Sequence, residues 1–330
     1  MLQDESMNDD AVRVSRIEFR AAMPLLRLLD AARLAFSIQC LLPAALGLIL
    51  FLVANQFLFS PTRLVTNHSG PLPNAVPLPF RQIGLDAHVI AVMGFSDGLW
   101  PVARLLLNLL LMGFTGVAVS RAAGLKFCAD RRSGAVRSLR HACQSARAII
   151  ISLFLGALLC LAALGVYLLL LKVTVLAAGD SHAPQSLAGI PAWLGALFLI
   201  AAGAVISVGW LLSLAATGVD SQAGAESLSR GISYVLSRFR RSCCYAAIIL
   251  LITWFLTEAA AFLVTQAGGL VAQTLNRSTD VAVVDSPGFH RFRQFVVEAW
   301  KLSVFFSGVT LSYVLLRHAE DGVDLNEVQG

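Results

Sequence analysis

Between Arg33 and Arg63 the chain carries no charged residue. An apolar run of that length crosses a bilayer as a helix: at about 1.5 Å per residue, about 20 residues cover a hydrocarbon core about 30 Å thick. A lone segment in lipid has to satisfy its backbone groups internally, which leaves the helix as its only structure. Comparable runs recur along the sequence, and together they predict spans over 41–59, 100–120, 148–171, 191–215, 244–265 and 295–316. The expected fold class is therefore all-α: an integral membrane helical bundle of six transmembrane helices, with amphipathic interfacial helices on the cytoplasmic side.

Composition narrows the function. Of 330 residues, 57% are hydrophobic and 14% charged, with a mean hydropathy of +0.74, against about 45–50% apolar and 25% charged in soluble domains. No stretch between spans approaches the length of about 100 residues typical of a globular domain, so a separate catalytic domain is not expected. The sequence divides into a cytoplasmic N-terminal segment with a basic amphipathic helix (1–34), a single membrane domain (35–317) and an acidic cytoplasmic tail (318–330). Residues 1–20 are polar, acidic and then basic, without the apolar core of a signal peptide. Insertion is expected to start from the first span.

The net charge is +5, and all basic residues but Lys126, Lys172 and Lys301 are arginines. Most of them fall before span one, between spans two and three, and between spans four and five. By the positive-inside rule those segments and both termini are cytoplasmic, the arrangement expected of a bacterial inner-membrane protein. Trp100, Trp193 and Trp300 then fall at the outer ends of spans two, four and six, where an aromatic belt is expected. The arginines anchor the inner face and are candidates for contact with anionic lipid. No nucleic-acid-binding motif accompanies them, so no nucleic-acid partner is expected. The six cysteines, Cys40, Cys128, Cys143, Cys160, Cys243 and Cys244, suggest no disulfide framework.

Each odd-numbered span follows a basic, partly amphipathic segment, over 17–34, 133–147 and 221–241, consistent with three tandem units. In the last of these, Ala225, Leu228, Ile232, Val235, Leu236 and Phe239 recur at helical spacing as a candidate apolar face. The long external segment from 61 to 97 is rich in proline in its first half and reads as a loop. Small residues four apart, Gly116 with Ser120 and Gly203 with Ser207, are candidate close-packing positions, and Trp210 and Trp254 are expected to fill the bundle.

Three fragments resemble a family of bacterial, planctomycete-type polytopic membrane proteins of unassigned function. They are Gly116-Val117-Ala118-Val119-Ser120-Arg121-Ala122-Ala123, then Ser229-Arg230-Gly231-Ile232-Ser233-Tyr234-Val235 with Arg238, and Tyr313-Val314-Leu315-Leu316-Arg317 with Asp321-Gly322-Val323-Asp324 and Glu327. Thr115 stands where that family carries a second glycine, and Phe239 where it carries proline. A fainter likeness extends to the membrane domains attached to some glycerophosphodiesterases. The resemblance implies a six-span membrane protein and carries no catalytic residue with it.

Ionisable residues within a span are costly and need an account. Arg104, Glu258, Glu298 and Lys301 are such residues, and Glu258 lies about 14 residues from the inner end of span five, or roughly 21 Å up. With Asn108 one turn below Arg104, they form a candidate intramembrane polar cluster: Arg104, Asn108, Glu258, Glu298 and Lys301. Its structural reading is mutual neutralisation across spans two, five and six. Its functional reading is an ion, proton or lipid-headgroup site. Gly94-Phe95-Ser96-Asp97-Gly98 has the local form of a nucleophile elbow, with 88–93 reading like a strand before it. Without a parallel sheet to position His182, Asp280, Asp285 or His290, it reads as a turn into span two, and no catalytic residue is assigned. No metal or cofactor motif is present, so none is expected. The function expected is that of a non-enzymatic membrane or envelope component binding a partner or lipid; the alternative is a transporter or channel using the cluster around Glu258.

Overall fold

The computed structural model describes residues 28–58, 76–93, 100–129, 134–179, 190–276 and 287–322. These form ten helices: α1 (Asp30–Ala35), α2 (Ile38–Leu58), α3 (Leu78–Met93), α4 (Trp100–Ala129), α5 (Ala135–Gln144), α6 (Ala146–Gly179), α7 (Ile190–Asp220), α8 (Gly224–Ser237), α9 (Phe239–Asn276) and α10 (Pro287–Asp321). Six of them, α2, α4, α6, α7, α9 and α10, are long and apolar enough to cross a membrane. The protein is an all-α membrane bundle.

The helices overrun the spans read from hydropathy. α4 continues through Arg121 and Lys126, and α10 through His318 and Glu320 into the segment expected as a tail. Hydropathy marks the apolar core of a helix and says nothing of its polar last turns, which a helix forms as readily as its apolar ones.

Packing follows the three expected units. α4, α7 and α10 touch one another at the centre, and each pairs with the odd span before it: α2 with α4, α6 with α7, α9 with α10. Three of the four shorter helices rest on the central helix of the preceding unit, α5 on α4, α8 on α7 and, closing the cycle, α1 on α10, while α3 packs on α4 of its own unit. α10 is buried from Ala299 to Leu316, whereas α6 and α9 leave most of their spanning length uncovered.

Small residues set the close crossings. A Cβ on Gly47 would collide with the Thr115 side chain, so the space that a glycine at 115 would have left is supplied by α2. A Cβ on Gly116 would lie 2.6 Å from the Phe306 ring, and Ser120 accepts a 2.9 Å hydrogen bond from Thr310 Oγ1. Gly203 meets nothing within 4 Å and Ser207 is exposed, so that predicted packing pair faces outward instead. Trp210 is buried as expected, but Trp254 is 48% exposed.

Further expectations change with tertiary contact. α8 buries Gly224, Ser227, Leu228, Gly231, Tyr234 and Val235, while Leu236 and Phe239 of the expected apolar face are 62% and 57% exposed. The rotation is set by backbone contact: a Cβ on Gly231 would run into the Gly209 carbonyl of α7. Trp100 and Trp193 stand exposed, but Trp300 is buried with its ring 4.6 Å from that of Phe36, beside the Ser303 hydroxyl that donates to the Ala35 carbonyl. The chain entering α2 takes the place that a belt residue would leave open.

Candidate functional site

At the Trp100 end of the bundle, charged side chains meet around α3. This helix forms within the segment expected as a loop, and it includes 88–93, which is helix and not strand. The prolines that suggested a loop start it: Pro77 offers its carbonyl to the N–H groups of Phe80 and Arg81, and Pro79 sits in the first turn, where its missing N–H costs nothing.

One centre forms around Asp86. Its Oδ1 accepts a 3.0 Å hydrogen bond from Gln82 Nε2, and its Oδ2 accepts one of 3.2 Å from Asn108 Nδ2 and lies 3.6 Å from Arg104 Nε. Arg104 Nε also donates to Asn55 Oδ1 at 3.0 Å, while Asn55 Nδ2 donates to Asn108 Oδ1 and to the Phe51 carbonyl, each at 2.8 Å. All five polar side chains are buried. Burial pushes the Asp86 carboxyl above its ordinary range, opposed by Arg104 and by the hydrogen bonds from Gln82 and Asn108.

The second centre is Glu298. Its Oε1 accepts from Arg81 Nη2 at 2.8 Å and from Lys301 Nζ at 2.7 Å, and its Oε2 accepts the N–H of Leu78 at 2.8 Å. Leu78 opens α3, so this carboxylate caps that helix, where negative charge is favoured. Three cations thus face two carboxylates, and every charged member is engaged by a neighbouring side chain.

The predicted cluster is therefore split. Arg104 and Asn108 join the Asp86 centre, and Glu298 and Lys301 join the other. Glu258 is in neither: it lies exposed on α9, and the expected neutralisation with Arg104 does not form. Asp86 and Arg81 supply the charges instead, because α3 folds back between the spans. Sequence reasoning missed Asn55, Arg81, Gln82 and Asp86. The available signal was the i, i+4 pair Gln82 and Asp86 in an otherwise apolar stretch behind a proline start.

A second polar network closes the opposite end. Arg121 Nη1 donates to the Gly218 and Val219 carbonyls at 3.4 and 3.2 Å, and a His141 ring nitrogen lies 3.4 Å from the Thr217 carbonyl, so both serve the last turn of α7. Asp220 accepts from Arg317 Nη1 at 2.6 Å and from the Tyr313 hydroxyl, while Asp321 accepts from the Tyr234 hydroxyl and Glu320 pairs with Arg238 at 2.7 Å. Burial pushes the Tyr234 phenol up, reinforced by Asp321, and pushes the His141 imidazole down, opposed by the Thr217 carbonyl. Arg121, Tyr234, Tyr313, Arg317 and Asp321 thus gather at this end.

Beside this network, Gly134, Val136, Arg137 and Arg140 line an open groove of about 340 Å³ on α5. Among the described residues no three His, Cys, Asp or Glu side chains group as a metal site. The motif at 94–98, with His182, Asp280 and Asp285, lies outside the described residues. Compared with protein-family models, curated proteins and solved structures, the chain matches none.

Proposed function

We propose that this multi-pass membrane protein is a non-enzymatic component of the bacterial cytoplasmic membrane, with both termini in the cytoplasm, that binds anionic lipid at its arginine-rich end and a membrane partner within the bilayer. The observation that carries the reading is the use made of its charges. At the Trp100 end the ionisable groups fasten α3 to α4 and α10, a structural task. At the other end Arg137 and Arg140 stand exposed beside Val136, which is 71% exposed, and Arg240 and Arg241 stand exposed beside Phe239. Arginine next to an uncovered apolar side chain suits the headgroup boundary, where the one meets phosphate and the other meets acyl chain. A transporter working through Glu258, Arg104 and Lys301 together is not favoured, because the two bases pair with Asp86 and Glu298 and not with Glu258.

The test is lipid retention by the purified full chain. Extracted from vesicles of equal phosphatidylglycerol and phosphatidylcholine, it should keep phosphatidylglycerol selectively, as read by mass spectrometry. Replacing Arg137, Arg140, Arg240 and Arg241 by glutamine should remove the selectivity. Retention that ignores headgroup charge, or survives the replacements, overturns the lipid assignment.

A further inference from the structure

Glu258 lies within the spanning part of α9, Phe239–Ala267, with its side chain exposed. Trp254 and Phe255 on one side of it and Phe262 and Leu263 on the other are 48%, 65%, 62% and 65% exposed, so the carboxylate sits inside an apolar belt and not at its rim. Among the described residues it makes no hydrogen bond and no ion pair. Its charge reaches Lys301 through space only, since that ammonium is held by Glu298 at 2.7 Å. Within the polar cluster, by contrast, Arg81, Asp86, Arg104, Glu298 and Lys301 all contact a partner in the bundle. A charge facing lipid is costly, and the cost is relieved by an opposite charge or a donor on an adjoining helix.

The surface around it has the form of a helix seam. Ala247, Leu251, Trp254, Glu258, Ala261 and Thr265 alternate at spacings of four and three, the pattern of a left-handed helix pair, and none of them is buried. A second copy of this chain is a poor occupant. In a membrane a symmetric dimer through α9 places each Glu258 at the same depth as its twin, like charge against like. Lys172, the exposed base on α6, lies in the last turns of its helix and not at the depth of Glu258.

We infer that the exposed face of α9 is a docking seam for a transmembrane helix of a partner protein that carries a lysine or arginine in the half of the membrane nearer the Trp100 end, paired with Glu258. The inference rests on the partner-binding half of the proposed function and is independent of the lipid half.

The experiment uses the full chain in phosphatidylcholine vesicles, so anionic lipid plays no part. Fluorescent leucine–alanine membrane peptides serve as probes: one with a lysine at the depth of Glu258, one with leucine there, and one with the lysine in the opposite half. Energy transfer from the labelled chain reads association. The matched lysine peptide should bind about tenfold more tightly than the other two, the scale of a polar contact between membrane helices. Glu258→Gln and Glu258→Leu should each bring the three within about twofold of one another. Because Glu258 makes no hydrogen bond or ion pair among the described residues, both variants should unfold close to the wild-type temperature. Equal binding of the three peptides to the wild-type chain overturns the inference, as does a lysine preference that survives Glu258→Leu. Self-association of the chain that depends on Glu258, with no peptide preference, also overturns it and assigns the face to a second copy. Loss of lipid selectivity in the arginine variants with peptide preference intact would separate the two halves of the reading.

Discussion

The Asp86 carboxylate lies 3.6 Å from Arg104 Nε, and it is delivered by a helix that is not among the six spans. The pair ties the short α3 to the central α4 through side chains that are 8% and 10% exposed. A charge pair so enclosed contributes little as a pair but a great deal through the cost of breaking it.

Asp86→Leu should therefore destabilise the bundle by about 3–5 kcal/mol, because it leaves the Arg104 guanidinium buried without the carboxylate it faces. Asp86→Leu with Arg104→Met should recover much of that loss. Thermal unfolding in detergent checks the order, and a double variant less stable than Asp86→Leu would show that the pair itself carries the stability.

Gly231→Ala should cost about 1–3 kcal/mol, since the added carbon has to displace the Gly209 backbone and part α8 from α7. Gly203→Ala, which meets nothing within 4 Å, should cost nothing and serves as the control. Unfolding midpoints of the two variants decide it.

Stability should fall on acidification through His141. Burial lowers its folded pKa below the ordinary 6.5, so the unfolded chain takes up the proton first. The contribution of the neutral ring is fully present above about pH 6.5 and is lost as pH falls from there through the depressed folded value. His141→Gln should flatten that part of the stability profile, measured in uncharged detergent so that headgroup titration does not intrude.

Orientation is checked by single cysteines in a cysteine-free chain. Ser69→Cys in intact cells should react with an impermeant thiol reagent, and Asn326→Cys should not. The reverse pattern would invert the membrane placement.

Much of the bundle was legible because lipid imposes one rule, satisfied backbone inside an apolar cylinder, on every span. Even the grouping into three units followed from the order of basic helix, span and span. The polar cluster was only half legible. Arg104, Asn108, Glu298 and Lys301 stood out as polar residues in apolar runs, but their partners Arg81 and Asp86 lay in a proline-rich segment where charge is unremarkable. Glu258 stood out most and proved separate, because depth can be read by counting residues whereas the direction a side chain faces depends on which neighbours cover the helix.

The order of residues thus determined how many helices can cross a membrane and roughly where, since burying apolar length and satisfying backbone groups are properties of each segment taken alone. Which charges meet, which tryptophans are enclosed and which face of α8 is buried were decided by tertiary structure. Those depend on helix rotation, and the rotation is set by contacts such as Gly231 on Gly209 and Gly47 on Thr115, made between residues distant in the chain.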